Sequence, residues 1–303
     1  SRAFLSCMTV LEFGVRADTA EVYVPRTAAA ARDENAETPQ SESVYVPAAP
    51  QNTAPVLSAA DKAATLTINN DTDYEVDVAA CLAEDTHIRA EGEGPQVLVF
   101  HTHASESYTP DAAFPYTPTE PERTTDTRYN VVRVGDELCS ALEERGIETV
   151  HLRSLFDTPT YAGSYDRSLE AVEQALAEYP SVKVVIDLHR DSILTDEGVA
   201  YRTSCTIDGT ETAQLMFVVG TDAGGLYHPD WRENLSFAST LQYALNRAYP
   251  SLMRPLNLRT QRFDQHASPG SLLIEVGSSG NTLPEALSAV RLFADVLANE
   301  MTG

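Results

Sequence analysis

Val97-Leu98-Val99-Phe100-His101-Thr102-His103-Ala104-Ser105-Glu106 runs from four apolar residues into a cluster of metal-type donors. The apolar half reads as a buried strand, and the donors fall at its carboxyl end. His103 and Glu106 have the chemistry of zinc ligands, and a catalytic zinc keeps three protein ligands and one open position. If the strand continues through His101, that histidine shares a face with His103. One of the two then serves as ligand, and the other supports it or meets substrate.

Two further runs follow the same pattern. Val182-Lys183-Val184-Val185-Ile186-Asp187-Leu188-His189-Arg190-Asp191 is an apolar strand that ends in a histidine among charges. Ser271-Leu272-Leu273-Ile274-Glu275-Val276-Gly277 places a carboxylate inside an apolar run. A charge there costs several kcal/mol unless it is paired or lies near a metal. Arg190, Arg259 and Arg262 are available as partners. The other reading of Glu275 is a general base, its pKa tuned by its surroundings.

These residues describe metal-assisted hydrolysis. Zinc held by His103, Glu106 and His189 would lower the pKa of a bound water. Glu275 would take the proton and pass it to the leaving nitrogen. Arg190, or the metal, would stabilise the oxyanion. Donors gathered from neighbouring strand ends suit an open α/β sheet, where sites form beyond the carboxyl ends of the strands.

The rest of the chain supports that fold class. Helical spacing is expected over Val131–Leu142, Tyr165–Tyr179 and Asn234–Tyr249. Strands are expected over residues 65–69, 147–152, 199–207 and 215–219. Thr282-Leu283-Pro284-Glu285 is a capping box that starts a last helix, running to about Asn299. The alternation predicts an α/β domain over residues 65–303, with a mostly parallel twisted sheet flanked by helices. Residues 1–64 are rich in Ala, Pro, Glu, Thr and Ser over 17–60 and read as a flexible N-terminal spacer. The long loop from Ser107 to Thr127 is expected to wall a substrate groove, with Tyr108 on it. His228-Pro229-Asp230-Trp231 is the second expected wall, with Trp231 as its contact. His266 reads as surface or groove, and His87 and His151 as structural.

Composition narrows the function. The net charge of −24 argues against nucleic acid and anionic lipid as partners. Cys7, Cys81, Cys139 and Cys205 form no Cys-x-x-Cys pair, which excludes a cysteine zinc site of that type. No run of eighteen apolar residues spans a membrane.

The motifs His101–Tyr108, Val185–Asp191 and Ser268–Gly277 together resemble the stage II sporulation protein P family of bacterial peptidoglycan hydrolases. Tyr129–Gly135, His228–Trp231 and Asn281–Ala286 support the resemblance, which spans roughly residues 66–300. It implies a fold like the zinc-dependent N-acetylmuramoyl-L-alanine amidases (a phosphorylase/hydrolase-like sheet). It implies cleavage of the amide between N-acetylmuramic acid and L-Ala, with stem-peptide cross-links as a second target, during engulfment of the forespore. It implies an extracytoplasmic location, with an N-terminal membrane anchor absent from this chain. It also implies a lytic transglycosylase and a membrane protein as partners. His189 and Glu275 match the amidase pattern's last zinc ligand and its catalytic glutamate. The pattern's glutamate ligand has no counterpart at Thr127-Arg128-Tyr129-Asn130, so Glu106 is taken in its place, with Glu120 and Glu122 as alternatives. Two rival functions stand beside this one. A non-catalytic module would grip peptidoglycan or a protein partner with the same fold. A zinc carboxypeptidase would trim stem peptides, as His103-x-x-Glu106 suggests.

Overall fold

The computed structural model describes residues 22–23, 58–84, 86 and 88–303. Cys7 and His87 lie outside them. Along the chain come β1 (Val22–Tyr23), α1 (Ala59–Ala63), β2 (Ile68–Asn70), α2 (Val78–Ala83), β3 (Val97–Phe100), α3 (Val131–Glu143), β4 (Thr149–Leu152) and α4 (Ser164–Glu178). Then follow β5 (Val184–Asp191), β6 (Ser204–Ile207), β7 (Thr210–Ala213), β8 (Leu215–Gly220), α5 (Trp231–Ala248), β9 (Leu256–Arg259), β10 (Ser271–Ser278) and α6 (Leu283–Thr302).

Eight strands form one sheet in the order β1-β4-β3-β5-β10-β8-β9-β2. The central run β4-β3-β5-β10 is parallel throughout. Strand β8 joins β10 antiparallel, and β1 joins β4 antiparallel. This is the expected mostly parallel α/β sheet.

The apolar residues divide by strand period. Val97, Val99, Ile186, Leu188, Leu272, Ile274 and Val276 face one core together with α3, α5 and α6. Leu98, Phe100, Val150, Leu152 and Val185 face the other, with Val172 and Ala175 of α4. Helices α3 and α4 therefore cover opposite faces. The chain leaves β3 for β4 on one side and then returns past β3 to β5. That reversal makes the carboxyl ends of β3 and β5 a switch point, where crevices open.

Several boundaries depart from the sequence reading. The spacer expected over 1–64 lies mostly outside the described residues, which there comprise only β1 and the segment that holds α1. Ser58 starts α1 early because it forms a reciprocal capping box with Asp61. The strand expected over 199–207 shortens to Ser204–Ile207, since Val199 and Tyr201 are exposed in a loop. Ile207 pairs with Thr210 across Asp208-Gly209, both at positive φ, a two-residue hairpin turn of the Asp-Gly kind. Helix α5 begins at Trp231 rather than Asn234. The capping box at Thr282 and Glu285 forms as expected. Among the described residues no helix is long and apolar enough to cross a membrane.

Candidate active site

Strand β3 stops at Phe100, and the next six residues turn back over its end. Glu106 N–H donates to His103 O at 3.0 Å, closing that turn. On β5 the period of two puts Asp187 and His189 on the α4 face with Val185. Glu275 of β10 stands opposite His189 in the parallel register. Three strands thus bring His103, Glu106, Asp187, His189 and Glu275 to one end of the sheet.

His189 sits between two carboxylates. Its Nδ1 lies 3.4 Å from Glu106 Oε2, and its Nε2 lies 2.8 Å from Asp187 Oδ1. The second contact is close but poorly directed, so Nε2 is enclosed without a hydrogen bond. Asp187 is fixed from the other side by Thr102, whose N–H and Oγ1–H donate to it at 2.9 and 2.7 Å. The His103 ring meets His189 edge-on, with centroids 5.3 Å apart. His103 Nε2 pairs with the Tyr161 hydroxyl at 2.8 Å and Nδ1 with Ser164 Oγ at 3.3 Å.

The electrostatics follow from this packing. Burial disfavours a charge on His189, yet Asp187 and Glu106 outweigh it and hold its pKa well above the usual imidazole range. Burial likewise opposes the charge on Glu106, but His189, Arg190 and His103 keep its carboxyl below the usual carboxylate range. Burial and the neighbouring His189 push His103 down to about 4. Burial raises the Glu275 carboxyl, and Glu106 and Asp191 add to this against His189 and Arg190. Glu275 is only half-buried as a residue, but its Oε2 is enclosed and unbonded. A carboxylate held above its ordinary pKa beside a histidine is what proton transfer near neutrality requires.

The donors are at present satisfied mainly by one another and by hydroxyls. Among the described residues no three His, Cys, Asp or Glu side chains form a ready coordination cluster. Their chemistry nonetheless fits zinc: two imidazoles and a carboxylate share one buried pocket, His189 Nδ1 faces Glu106, and Glu275 Oε2 beside them is unbonded. Glu120 is exposed, and Glu122 faces Ser192 at 3.4 Å. Asn130 caps α3 through Val132 N–H and donates to Thr124 O, which accounts for asparagine at that place.

His101 has a different task. Its Nδ1 meets Leu188 O at 2.8 Å and its Nε2 meets His151 Nε2 at 2.8 Å, while His151 Nδ1 reaches Asp136 at 3.1 Å. Both ring nitrogens are therefore engaged away from the cluster, and His101 supports the strand that carries His189. Both ends of this relay are acceptors, so each end nitrogen needs a proton and the central contact needs a third. Burial pushes both imidazoles down, so the pair resists taking up that third proton. A Cβ at Gly135 would lie 2.6 Å from each Nε2, which explains glycine there on α3.

Three expected roles are corrected. The Arg190 guanidinium donates to the carbonyls of Ser107 at 2.9 Å, Glu122 at 2.5 Å and Asp191 at 3.4 Å. It pins the long loop to β5 and is not free to meet an oxyanion. Tyr108 walls no groove, because it is 1% exposed and its hydroxyl donates to Val276 O at 3.1 Å. Trp231 is core as well, 2% exposed and stacked on Tyr74 with centroids 5.0 Å apart.

Other residues occupy the places those three were expected to fill. Tyr161 is 56% exposed and stacks on His103 at 4.2 Å. Arg123 lies over the Tyr161 ring at 5.1 Å, 3.7 Å from Glu106 and 2.9 Å from Asp157. Asp157 in turn accepts from Ser105 N–H and Oγ–H, which fixes the turn between His103 and Glu106. Asp187 was within reach of the period-two argument. Arg123, Asp157 and Tyr161 carried no local sequence signal.

Fold and site define an α/β protein with a buried histidine–carboxylate cluster at the carboxyl ends of parallel strands. The profile of the Stage II sporulation protein P family matches residues 17–298, and the chain belongs to that family. It is 32% identical over 218 residues to stage II sporulation protein P of Bacillus subtilis strain 168, covering 68% of this chain and 51% of that protein. The chain thus spans about half the length of this curated relative. Among solved structures, N-acetylmuramoyl-L-alanine amidase AmiC2 of Nostoc punctiforme is 13% identical, with 69% of this chain and 97% of that chain covered and a TM-score of 0.39. An N-acetylmuramoyl-L-alanine amidase from Clostridium difficile 630 is 12% identical, with 69% and 95% covered and a TM-score of 0.41.

Proposed function

We propose that this protein is a zinc-dependent peptidoglycan hydrolase that cuts the amide between N-acetylmuramic acid and L-Ala, and stem-peptide cross-links in addition. The observation that carries the reading is the pairing of His189 with Glu275 in register, beside Glu106 and His103. His103, Glu106 and His189 would hold the metal, which when bound supplies a Lewis acid and an acidified water. Asp187 orients His189 and favours its lone pair toward the pocket. Glu275 takes a proton at its unbonded Oε2 and returns it to the departing amine. Arg123 and the Tyr161 hydroxyl, at the open side, orient the substrate carbonyl.

Family membership supports a role in sporulation, outside the cytoplasm and tied to a membrane by an anchor, with a lytic transglycosylase and a membrane protein as partners. Metal analysis tests the chemistry: wild type binds one zinc per chain, and His103→Ala and His189→Ala lose both zinc and wall hydrolysis. Full hydrolysis by either variant would remove the reading. A protein that binds wall without releasing product would be the non-catalytic module instead. Single C-terminal residues as the only product would mark a carboxypeptidase.

A further inference from the structure

The first turn of α4 and the loop after β9 border a cavity of about 480 Å³, whose lining includes Tyr165, Asp166, Leu226, Arg262, Phe263 and Asp264. Asp166 and Leu226 are exposed, so the cavity opens to solvent. The Tyr165 ring meets His103 edge-on at 5.4 Å and Phe263 at 6.0 Å. The cavity therefore begins one ring away from the proposed zinc site. A peptide extends about 3.3–3.6 Å per residue, which brings the third residue of a chain that starts at the zinc within reach of it.

Opposite charges share this cavity without pairing. Arg262 is half-buried, and the one hydrogen bond its side chain makes among the described residues runs from Nη1 to Tyr227 O at 3.2 Å. Asp264 is 5% exposed, and its Oδ2 accepts from Ser168 Oγ at 2.7 Å. Among the described residues neither forms an ion pair, with the other or with a third group. Burial lifts the Asp264 carboxyl to about 7 against the Ser168 hydrogen bond, with Asp187 adding to the rise and Arg262 and His189 opposing it. A buried carboxyl and a guanidinium that line one cavity without meeting are each short of a counter-charge.

The two signs select the ligand. A simple anion would face Asp166 and Asp264, and a simple cation would face Arg262. A group with an ammonium and a carboxylate on one carbon answers both. Arginine suits the carboxylate because its planar fork matches two oxygens. The Tyr165 and Phe263 rings suit the methylenes that lead to such a group. A free amino-acid end of this kind closes the side chain of a diaminodicarboxylic residue, whereas a lysine side chain offers the ammonium alone.

We propose that Arg262 and Asp264, with Asp166 at the rim, form a subsite for the zwitterionic end of a diaminodicarboxylic residue in the stem peptide. Arg262 takes its carboxylate and Asp264 its ammonium. The proposal rests on the wall-hydrolase reading. Three tripeptides test it on the Glu275→Gln protein: L-Ala-γ-D-Glu-meso-diaminopimelate, the same peptide with its distal carboxyl amidated, and the same peptide with its distal amine acetylated. Titration calorimetry should show the unmodified peptide bound at least about tenfold more tightly than either derivative. Adding Arg262→Gln should erase the preference over the amide, and adding Asp264→Asn the preference over the acetylated peptide. Equal affinity for all three peptides would overturn the subsite while leaving wall hydrolysis by wild type untouched, and so would preferences that survive both substitutions. Zwitterion-selective binding by a wild type that never cuts wall would support the subsite and overturn the hydrolase reading.

Discussion

Glu275 and His189 stand side by side on adjacent parallel strands, directly opposite in register. Both point to the α4 face, where Asp187 and Glu106 flank the histidine. In the proposed chemistry His189 holds the metal and Glu275 alone carries the proton.

Tyr161 holds His103 Nε2 with its hydroxyl, so zinc must displace that contact. Tyr161→Phe removes the competitor. Zinc affinity, read by competition with a chromophoric chelator, should rise by about 3- to 10-fold, the equivalent of one ordinary hydrogen bond. Unchanged affinity would mean that His103 Nε2 is not a ligand.

Arg190 is a fastener for the loop after β3. Arg190→Ala leaves the carbonyls of Ser107 and Glu122 without their donor, and should cost about 2–4 kcal/mol in urea unfolding. Lysine should not rescue it, since one ammonium cannot span three carbonyls. A stable Arg190→Ala protein with lost catalysis alone would return Arg190 to the chemistry.

Asp264 should make stability fall as pH rises. Burial lifts its carboxyl to about 7 from an ordinary 3.8, against a hydrogen bond from Ser168. The folded state thus resists ionisation that the unfolded chain undergoes near pH 4. Its penalty starts near that value and is complete above about 7. Asp264→Asn should therefore gain on wild type by about 2–3 kcal/mol between pH 5 and pH 8. A constant gap across that range would show that Asp264 titrates normally.

Trp231 and Gly135 are packing positions. Trp231→Ala should lose about 3–5 kcal/mol of stability. Gly135→Ala should destabilise through its clash with His101 and His151, by about 1–3 kcal/mol. Thermal melts check both. A Trp231→Ala protein as stable as wild type, but poorer at binding wall, would restore the tryptophan to a groove.

Much of this was legible in the chain. His103, His189 and Glu275 stood out because each interrupts an apolar run where a strand should end, and the sheet brings those ends together. The capping box at Thr282 was readable because its contacts are local. Arg190 misled for the opposite reason: its partners are carbonyls of a loop some seventy to eighty residues away, which no pattern on β5 reveals. Trp231 misled because a tryptophan two residues after a proline suits a surface wall as well as a helix start. Tyr161, Arg123 and Asp157 meet only through tertiary folding. The Asp208-Gly209 hairpin, by contrast, carried a local turn signal, yet the returning strand Thr210–Ala213 was not read from it.

The most direct test digests purified peptidoglycan with wild type and Glu275→Gln, zinc content measured in each and products identified by mass. The account predicts free stem peptides and bare glycan from wild type alone, with equal zinc in both proteins. Digestion by Glu275→Gln at the wild-type rate would contradict it.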